Sequence, residues 1–87
     1  MEVAYLQGAL DDLDFWRKSR NIKMQSKISQ LIESIKIDPY KGLGKPEPLK
    51  YDLAGKWSRR INQEHRLIYQ VAGNKIFIYS LKGHYLK

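Results

Sequence analysis

The spacing of the apolar residues changes once along this chain, and that change limits the folds open to it. In the first part, up to residue 35, they recur every three or four positions, which is the period of an amphipathic helix. From residue 49 to residue 81 they tend to alternate with polar residues, which is the period of a strand. Three prolines and two glycines separate the two patterns in "DPYKGLGKPEP" (residues 38–48), which predicts a loop. Apart from a short first strand, the chain is therefore expected to form helices first and a sheet of neighbouring strands second.

One strand and one helix are predicted in the first twenty residues. The segment "MEVAYL" (residues 1–6) favours a strand, and Gln7-Gly8 predicts a turn after it. The helix that follows is expected to end near Arg20. Its apolar stripe consists of Leu6, Leu10, Leu13 and Trp16.

A second helix is predicted to run to about Ile37. Ser19 or Asn21 would cap its N-terminus, and Asp38-Pro39 ends it because a proline disfavours helical geometry in the residue before it. A stripe along one side is typical of a helix that faces a core; its members are Met24, Ile28, Leu31, Ile32 and Ile35.

The second part of the chain predicts four strands, over residues 49–53, 57–61, 65–71 and 75–81, with a hairpin turn at Gly73-Asn74. A strand, two helices and a four-strand meander indicate an α+β fold, in which both helices pack on one face of a mostly antiparallel sheet. The opposite face is expected to stay open and to be basic.

Length and composition narrow the class of protein. The 87 residues are enough for a single domain (1–87) with one modest core. The absence of cysteine excludes disulfides and cysteine-ligated zinc. The N-terminus is acidic and no long apolar run occurs, so we expect a soluble cytoplasmic protein without a signal peptide or a membrane span.

The net charge of +7 is concentrated in one half of the chain. Residues 45–87 contain nine basic and three acidic residues, a net charge of +6. Clustered cations suit a phosphate-rich partner, because binding them releases counterions from nucleic acid. A solvated face that promotes solubility explains the same charge, so both interpretations stay open here.

Glu47 lies between two prolines in "PEP". Pro48 favours an extended backbone at Glu47, and Pro46 restricts the residue before it, so the carboxylate is presented from a stiff loop. Stiffness suits a positioned general base. A solvated acid in a turn is the plainer explanation of this residue taken alone.

Three arginines lie on two consecutive predicted strands joined by "NQE". Hairpin pairing would bring Arg66 close to Arg59 or Arg60, and two guanidiniums on one face favour a bound phosphate. Arg59 and Arg60 must point to opposite faces, so at most one of them shares the face of Arg66. Alternatively, these arginines lie on exposed strands beside Glu64 and Asp52.

His84 and Tyr85 directly follow the last predicted strand. An imidazole titrates near neutral pH and can donate a proton to a leaving group. A frayed tail explains the dipeptide equally simply. His65, at the start of a strand, is expected to be structural. The two histidines have no matched carboxylates, so neither a metal site nor a cofactor is predicted.

A base, a phosphate clamp and an acid are the groups needed to cleave RNA without a metal. One activates the 2′-hydroxyl, one stabilises the crowded phosphate and one protonates the departing 5′-oxygen. A carboxylate is a weak base toward a hydroxyl, so positioning must contribute much of the rate.

Two other hypotheses remain. In one the chain is a non-catalytic basic module that binds nucleic acid or the ribosome. In the other its basic groove receives an acidic peptide, which is compatible with a ribonuclease. Glu47 discriminates, because a pure phosphate binder gains nothing from an anion beside its arginines.

A long motif links these residues to a known family. The run "GKPEPLKYDLAGKWSRRINQEHRLIY", together with "LDDLDFW" in the first helix and the closing "HY", resembles the YoeB/Txe toxins of the RelE superfamily over essentially the whole chain. The resemblance implies a RelE-like fold and a toxin of a bacterial type II toxin–antitoxin system. It further implies a metal-independent endoribonuclease that cuts messenger RNA in the ribosomal A site, leaving a 2′,3′-cyclic phosphate and a 5′-hydroxyl, and so inhibits translation.

The same resemblance implies roles for single residues. Glu47 would be the general base, Arg66 would stabilise the phosphate, His84 would be the acid and Tyr85 would position the substrate. The residues implied to contact the RNA backbone are Lys50, Arg59 and Arg60.

Partners are also implied by the resemblance. They are a YefM-like antitoxin whose C-terminal segment wraps the toxin, the ribosome with its messenger RNA, operator DNA only through the antitoxin complex, and a second copy of the toxin in a homodimer. Gly83 in "KGHY" stands where some relatives carry an aromatic residue, which predicts a more mobile His84 segment.

Overall fold

A computed structural model describes residues 1–83 of the chain. It contains two helices, five strands and one short 3₁₀ helix, Tyr51–Leu53. In chain order the helices and strands are β1 (Glu2–Tyr5), α1 (Gln7–Lys18), α2 (Ile22–Ile37), β2 (Glu47–Pro48), β3 (Trp57–Arg60), β4 (Arg66–Ala72) and β5 (Lys75–Ser80).

The strands form one five-stranded sheet in the order β1-β5-β4-β3-β2. Strands β2 to β5 make an antiparallel meander, and β1 adds to its edge in parallel to β5. The predicted α+β fold with a mostly antiparallel sheet is confirmed.

Both helices contribute to a single core on one face of the sheet. Alternate residues of β4 and β5 point into this core, as expected for strands with one buried face. The core residues contributed by the helices are Ala9, Trp16, Met24, Ile28, Leu31, Ile32 and Ile35, and those from the sheet are Leu67, Tyr69, Ile76 and Ile78. We call the other side of the sheet the open face, although Ser58 and Ile68 on this side are also buried.

The first helix differs from the prediction in two details. Gln7-Gly8 is its first turn rather than a separate turn, and a Cβ atom on Gly8 would lie 2.9 Å from the carbonyl oxygen of Tyr79. Glycine therefore allows α1 to approach β5 closely. Leu10 is 46% exposed whereas its neighbour Ala9 is fully buried, so the buried stripe is displaced from the predicted one.

The second helix matches the prediction closely. Asn21 rather than Ser19 is its cap, because the Asn21 side chain accepts a hydrogen bond from the Met24 amide (3.1 Å). The helix ends at Ile37, and Asp38 is extended. Neither helix in the described part of the chain is long and apolar enough to cross a membrane.

The strand predicted over residues 49–53 is wrong. The strand of this region is β2, which ends at Pro48, and one further bond joins the Leu49 amide to the Lys56 carbonyl (2.9 Å). Tyr51 then takes a left-handed conformation (φ 57°) and turns the chain into the 3₁₀ helix. The alternation of apolar residues continues through this turn, which is why the sequence pattern suggests a strand.

Candidate active site

The sheet register places the predicted base on the same face as two arginines. Glu47 pairs with Ser58 across β2 and β3, and Arg60 pairs with Arg66 across β3 and β4. Residues directly opposite each other share a face, as do residues two apart on one strand. Glu47, Arg60 and Arg66 therefore all lie on the open face, and standard strand spacings separate the Cα atoms of Glu47 and Arg66 by roughly 12 Å.

The backbone before Glu47 is held by β3 and by the core. Gly44 (φ 88°) accepts a hydrogen bond from the Arg60 amide through its carbonyl (2.7 Å), three residues before Glu47. A Cβ atom on Gly44 would lie 2.6 Å from Leu31 Cδ2, so only glycine fits this approach. The loop thus delivers an exposed Glu47 side chain at the edge of the open face from an anchored start.

Arg66 is half-buried, and the turn before it orients its guanidinium. Its Nη1 donates to the carbonyl oxygens of Asn62 (2.8 Å), Gln63 (3.2 Å) and His65 (3.2 Å). Its Nε and Nη2 atoms have no acceptor among residues 1–83. One edge of the fork is therefore used for structure, and the other is available to an anion such as a phosphate.

Arg60 and Arg66 form a pair of like charges in directly opposed positions. Such pairs are destabilising across a sheet unless an anion joins them. Arg60 is exposed and Arg66 is half-exposed, so solvent or a ligand can reach both. Lys50, another predicted RNA contact, is exposed at the residue before the 3₁₀ helix.

Arg59 is not available for the RNA contact predicted for it. Its side chain is 0% exposed, because it lies on the helix-covered face opposite Leu67. Its guanidinium donates to Tyr69 Oη (3.1 Å) and to four oxygens around the loop after α2: Ser34 Oγ (2.8 Å), Leu43 O (3.0 Å), Asp38 O (2.7 Å) and Lys41 O (3.0 Å). In this structure Arg59 is a structural residue that anchors the loop, and it does not contribute to the surface that would contact RNA.

Tyr69 completes this buried network. Its hydroxyl accepts from Arg59 Nε and donates to the Pro39 carbonyl. Burial raises the pKa of the Tyr69 phenol, although the hydrogen bond from Arg59 opposes that effect. The phenol therefore remains protonated, as its hydrogen bond to Pro39 requires.

The predicted acid and substrate-orienting residue, His84 and Tyr85, lie outside the described residues. Gly83, the last described residue, is bonded at both of its backbone polar groups. Its amide donates to His65 Nδ1 (2.8 Å) and its carbonyl accepts from the Arg66 amide (3.0 Å). Gly83 itself is therefore held, despite the mobility predicted for this segment, and His65 has a structural partner as expected.

Asn62 is a site-shaping residue that the sequence analysis missed. Its Oδ1 accepts from the amides of Glu64 (2.9 Å) and His65 (2.8 Å), which closes the turn between β3 and β4. This turn supplies the carbonyls that orient Arg66. The asparagine at the start of "NQEH" is typical of such turns and is the signal that could have identified it.

Among residues 1–83, no three His, Asp or Glu side chains are close enough to hold a metal ion together. At this end of the open face the described residues instead offer the Glu47 carboxylate and the Arg60 and Arg66 guanidiniums, a set that can bind a phosphate and act on a hydroxyl next to it.

The sequence of the chain is similar to those of a known protein family. Residues 5–85 match the family described as YoeB-like toxin of bacterial type II toxin–antitoxin system. A curated relative, toxin YoeB of Synechocystis, is 44% identical, and the match covers 98% of each chain.

Solved structures agree with the sequence comparison. The YoeB/ParE toxin from Agrobacterium tumefaciens superposes with a TM-score of 0.94 at 42% identity, covering 98% of this chain and 100% of that one. Two Staphylococcus aureus structures each cover 98% of both chains: a YoeB dimer (TM-score 0.89, 42% identity) and a YoeB–YefM complex (TM-score 0.88, 43% identity).

Proposed function

The chain belongs to the YoeB-like toxins of bacterial type II toxin–antitoxin systems, and from this premise we propose that it is a metal-independent endoribonuclease. It cuts messenger RNA in the A site of the ribosome and so inhibits translation. The observation that carries the proposal is the register of the open face, where Glu47 shares a surface with the opposed arginines Arg60 and Arg66. A carboxylate weakens simple phosphate binding, but it can serve a ribonuclease as the general base.

Glu47 is the general base in the proposed mechanism. Its carboxylate takes the proton of a 2′-hydroxyl, and the resulting oxygen attacks the adjacent phosphorus. Attack forms a 2′,3′-cyclic phosphate and breaks the bond to the 5′-oxygen of the next nucleotide. The anchored loop supports this role, because a weak base becomes effective when its geometry is fixed before the substrate arrives.

Arg66 stabilises the charge that builds up on the phosphate during attack. The Nη1 side of its guanidinium is engaged by the preceding turn, so the remaining N–H groups are already oriented when RNA binds. Arg60 and Lys50 contact the RNA backbone beside the cleaved phosphate. Their contribution to the binding affinity depends on the salt concentration.

His84 is the proposed acid that protonates the departing 5′-oxygen, and Tyr85 orients the substrate. Both assignments rest on the closing "HY" of the family motif. The family match extends to residue 85 and includes both residues.

Two of the proposed partners, the antitoxin and a second copy of the toxin, are supported by relatives. A YefM-like antitoxin binds and inhibits the toxin, as the Staphylococcus aureus YoeB–YefM complex supports. Operator DNA is bound only through that complex. A homodimer is supported by the Staphylococcus aureus YoeB dimer. The site of action is the ribosome in the bacterial cytoplasm.

Primer extension on a defined messenger tests the proposal. Wild-type protein, Glu47→Ala and the control Glu33→Ala are incubated with ribosomes stalled at a known codon and with free messenger. Glu33 is an exposed acid on α2, paired with Lys36 (3.1 Å) and outside the open face, so its loss should leave cleavage unchanged. We expect a cut in the A-site codon that requires ribosomes, and a loss of about 10²–10⁴-fold in Glu47→Ala.

Two results would contradict the proposal. Full cleavage by Glu47→Ala would show that Glu47 is not the general base. Tight ribosome binding by the wild-type protein without any cut would instead support the non-catalytic binding module. Metal independence is tested separately, by crosslinking the magnesium-stabilised ribosomes and then adding EDTA. Cleavage that persists supports metal independence, and loss of the cut contradicts it.

A further inference from the structure

The segment after β5 is fastened to the rest of the molecule by side chains from distant positions. The Leu81 amide donates to Asp12 Oδ2 (2.8 Å), and the Leu81 carbonyl accepts from Trp16 Nε1 (2.9 Å). Leu81 and Trp16 are both buried. The chain therefore leaves β5 along α1 in a defined path, with both polar groups of the Leu81 backbone satisfied.

The next anchor is Gly83, and His65 provides half of it. His65 Nδ1 accepts from the Gly83 amide, and the Arg66 amide donates to the Gly83 carbonyl. Gly83 has a φ of 80°, a conformation that glycine adopts without strain. An imidazole nitrogen accepts a hydrogen bond only when it carries no proton, so the neutral His65 ring is protonated at Nε2.

The His65 ring is itself held in place. It packs edge-on against Trp16 with ring centroids 5.0 Å apart and an interplanar angle of 80°. The same Trp16 binds the Leu81 carbonyl, so one aromatic residue supports both anchors of the segment. His65 thus has a fixed orientation, and its acceptor nitrogen is aimed at one amide.

We propose that His65 is a positioning residue of the endoribonuclease, an inference that rests on the function proposed above. It does not touch RNA. It fixes the peptide group of Gly83, the residue immediately before the proposed acid His84. Because consecutive Cα atoms are about 3.8 Å apart, a fixed Gly83 peptide group sets the point from which the chain continues to the proposed acid.

The alternative is that His65 only fills space beside Trp16, and two matched substitutions separate these roles. In His65→Asn the amide Oδ1 takes the place of Nδ1 and keeps the acceptor. In His65→Leu the acceptor is lost while apolar packing against Trp16 is retained. A role in packing alone predicts that Asn is worse than Leu, whereas a positioning role predicts the reverse.

Single-turnover cleavage on stalled ribosomes is the functional measurement. We expect His65→Leu to lower the cleavage rate constant by about 10–100-fold, since displacement of a catalytic group by about 1 Å can cost about 10²-fold. His65→Asn should stay within about 3-fold of wild type on the same argument. The dissociation constant for the ribosome should change less than about 2-fold in both variants, because His65 makes no RNA contact.

Amide hydrogen exchange at Gly83, followed by NMR, tests the anchor without relying on activity. Protection of this amide should be retained in His65→Asn and lost in His65→Leu, while core amides such as that of Ile78 keep their protection in both. Equal cleavage rates in the two variants, or loss of Gly83 protection without loss of cleavage, would overturn the proposal.

The two proposals fail in different ways. If the wild-type protein binds ribosomes but never cuts, the proposed function is wrong. The positioning role of His65 in cleavage is then wrong too, whatever the Gly83 exchange result. A wild-type protein that cuts, together with a fully active His65→Leu variant, removes only the positioning role.

Discussion

Replacing Arg59 should cost a large part of the stability of this domain. Arg59→Met keeps much of the apolar stem of the side chain but removes the guanidinium and with it all of the hydrogen-bond donors. Five hydrogen bonds are lost at once, and four of them hold oxygens of Ser34 and of the loop that follows α2. Because the side chain is 0% exposed, no water takes its place without rearrangement.

The size of the effect follows from the fate of the acceptors. A hydrogen bond from a charged donor contributes about 1.5–3 kcal/mol to stability. When the donor is removed, an acceptor that water can partly reach recovers part of this energy by bonding to water. Taking about 1 kcal/mol for each of the four oxygens outside the core gives a loss of about 4 kcal/mol in the free energy of unfolding. A domain of this length has roughly 4–13 kcal/mol in total, so Arg59→Met should lose between about a third and all of its stability.

Urea unfolding followed by tryptophan fluorescence measures this loss, with Trp16 as the buried reporter. Arg59→Lys provides a second value when Arg59→Met does not fold. It keeps the charge but has one nitrogen in place of three, and we expect a loss of about 2 kcal/mol. Arg60→Met is the matched control, because the neighbouring arginine is exposed and should change stability by less than about 0.5 kcal/mol. A loss below about 1 kcal/mol in Arg59→Met would refute the assignment of Arg59 as a loop anchor.

Four further outcomes are expected. Arg66→Ala should lower cleavage by about 10²–10³-fold and also weaken ribosome binding; unaltered cleavage would count against the clamp. Lys50→Ala and Arg60→Ala should each reduce the slope of log affinity against log salt by about one, and unchanged slopes would show that neither touches phosphate. The raised pKa of Tyr69 favours the protonated folded state, so stability is lost as pH rises above about 10; Tyr69→Phe should flatten that decline in pH-dependent urea unfolding. Gly83→Ala should cost about 1 kcal/mol through backbone strain alone, because no atom of residues 1–83 lies within 4 Å of the added Cβ; equal stability would argue against the left-handed φ.

The order of elements was predictable because it depends on local periodicity. The stripe from Met24 to Ile35 becomes the buried side of α2, and the alternation around Leu67 becomes the buried side of β4. Local signals were less reliable where two elements touch. Gly8 resembles a turn residue in the sequence, yet its lack of a side chain serves the contact of α1 with β5.

The site was predictable only to the level of which residue types it contains. Alternation requires that Arg59 and Arg60 face opposite ways, but it does not say which one faces the core. That choice depends on acceptors supplied from Ser34 and from the loop after α2, which are distant in sequence. The sequence around Arg59 contains no signal that this arginine is buried. Its burial could be recognised only once its neighbours in the fold were known.

The pairing of β1 with β5 also has a consequence for how the sheet is assembled. Glu2 is in register with Lys75, so the first strand of the chain finds its partner almost at the other end. Contacts between such distant positions require closure of a long loop and form late in folding. The β3–β4–β5 meander, joined by short turns, is expected to form first and to carry Arg60 and Arg66 with it. The opposed positions of Arg60 and Arg66 would then be set before the sheet gains its first strand.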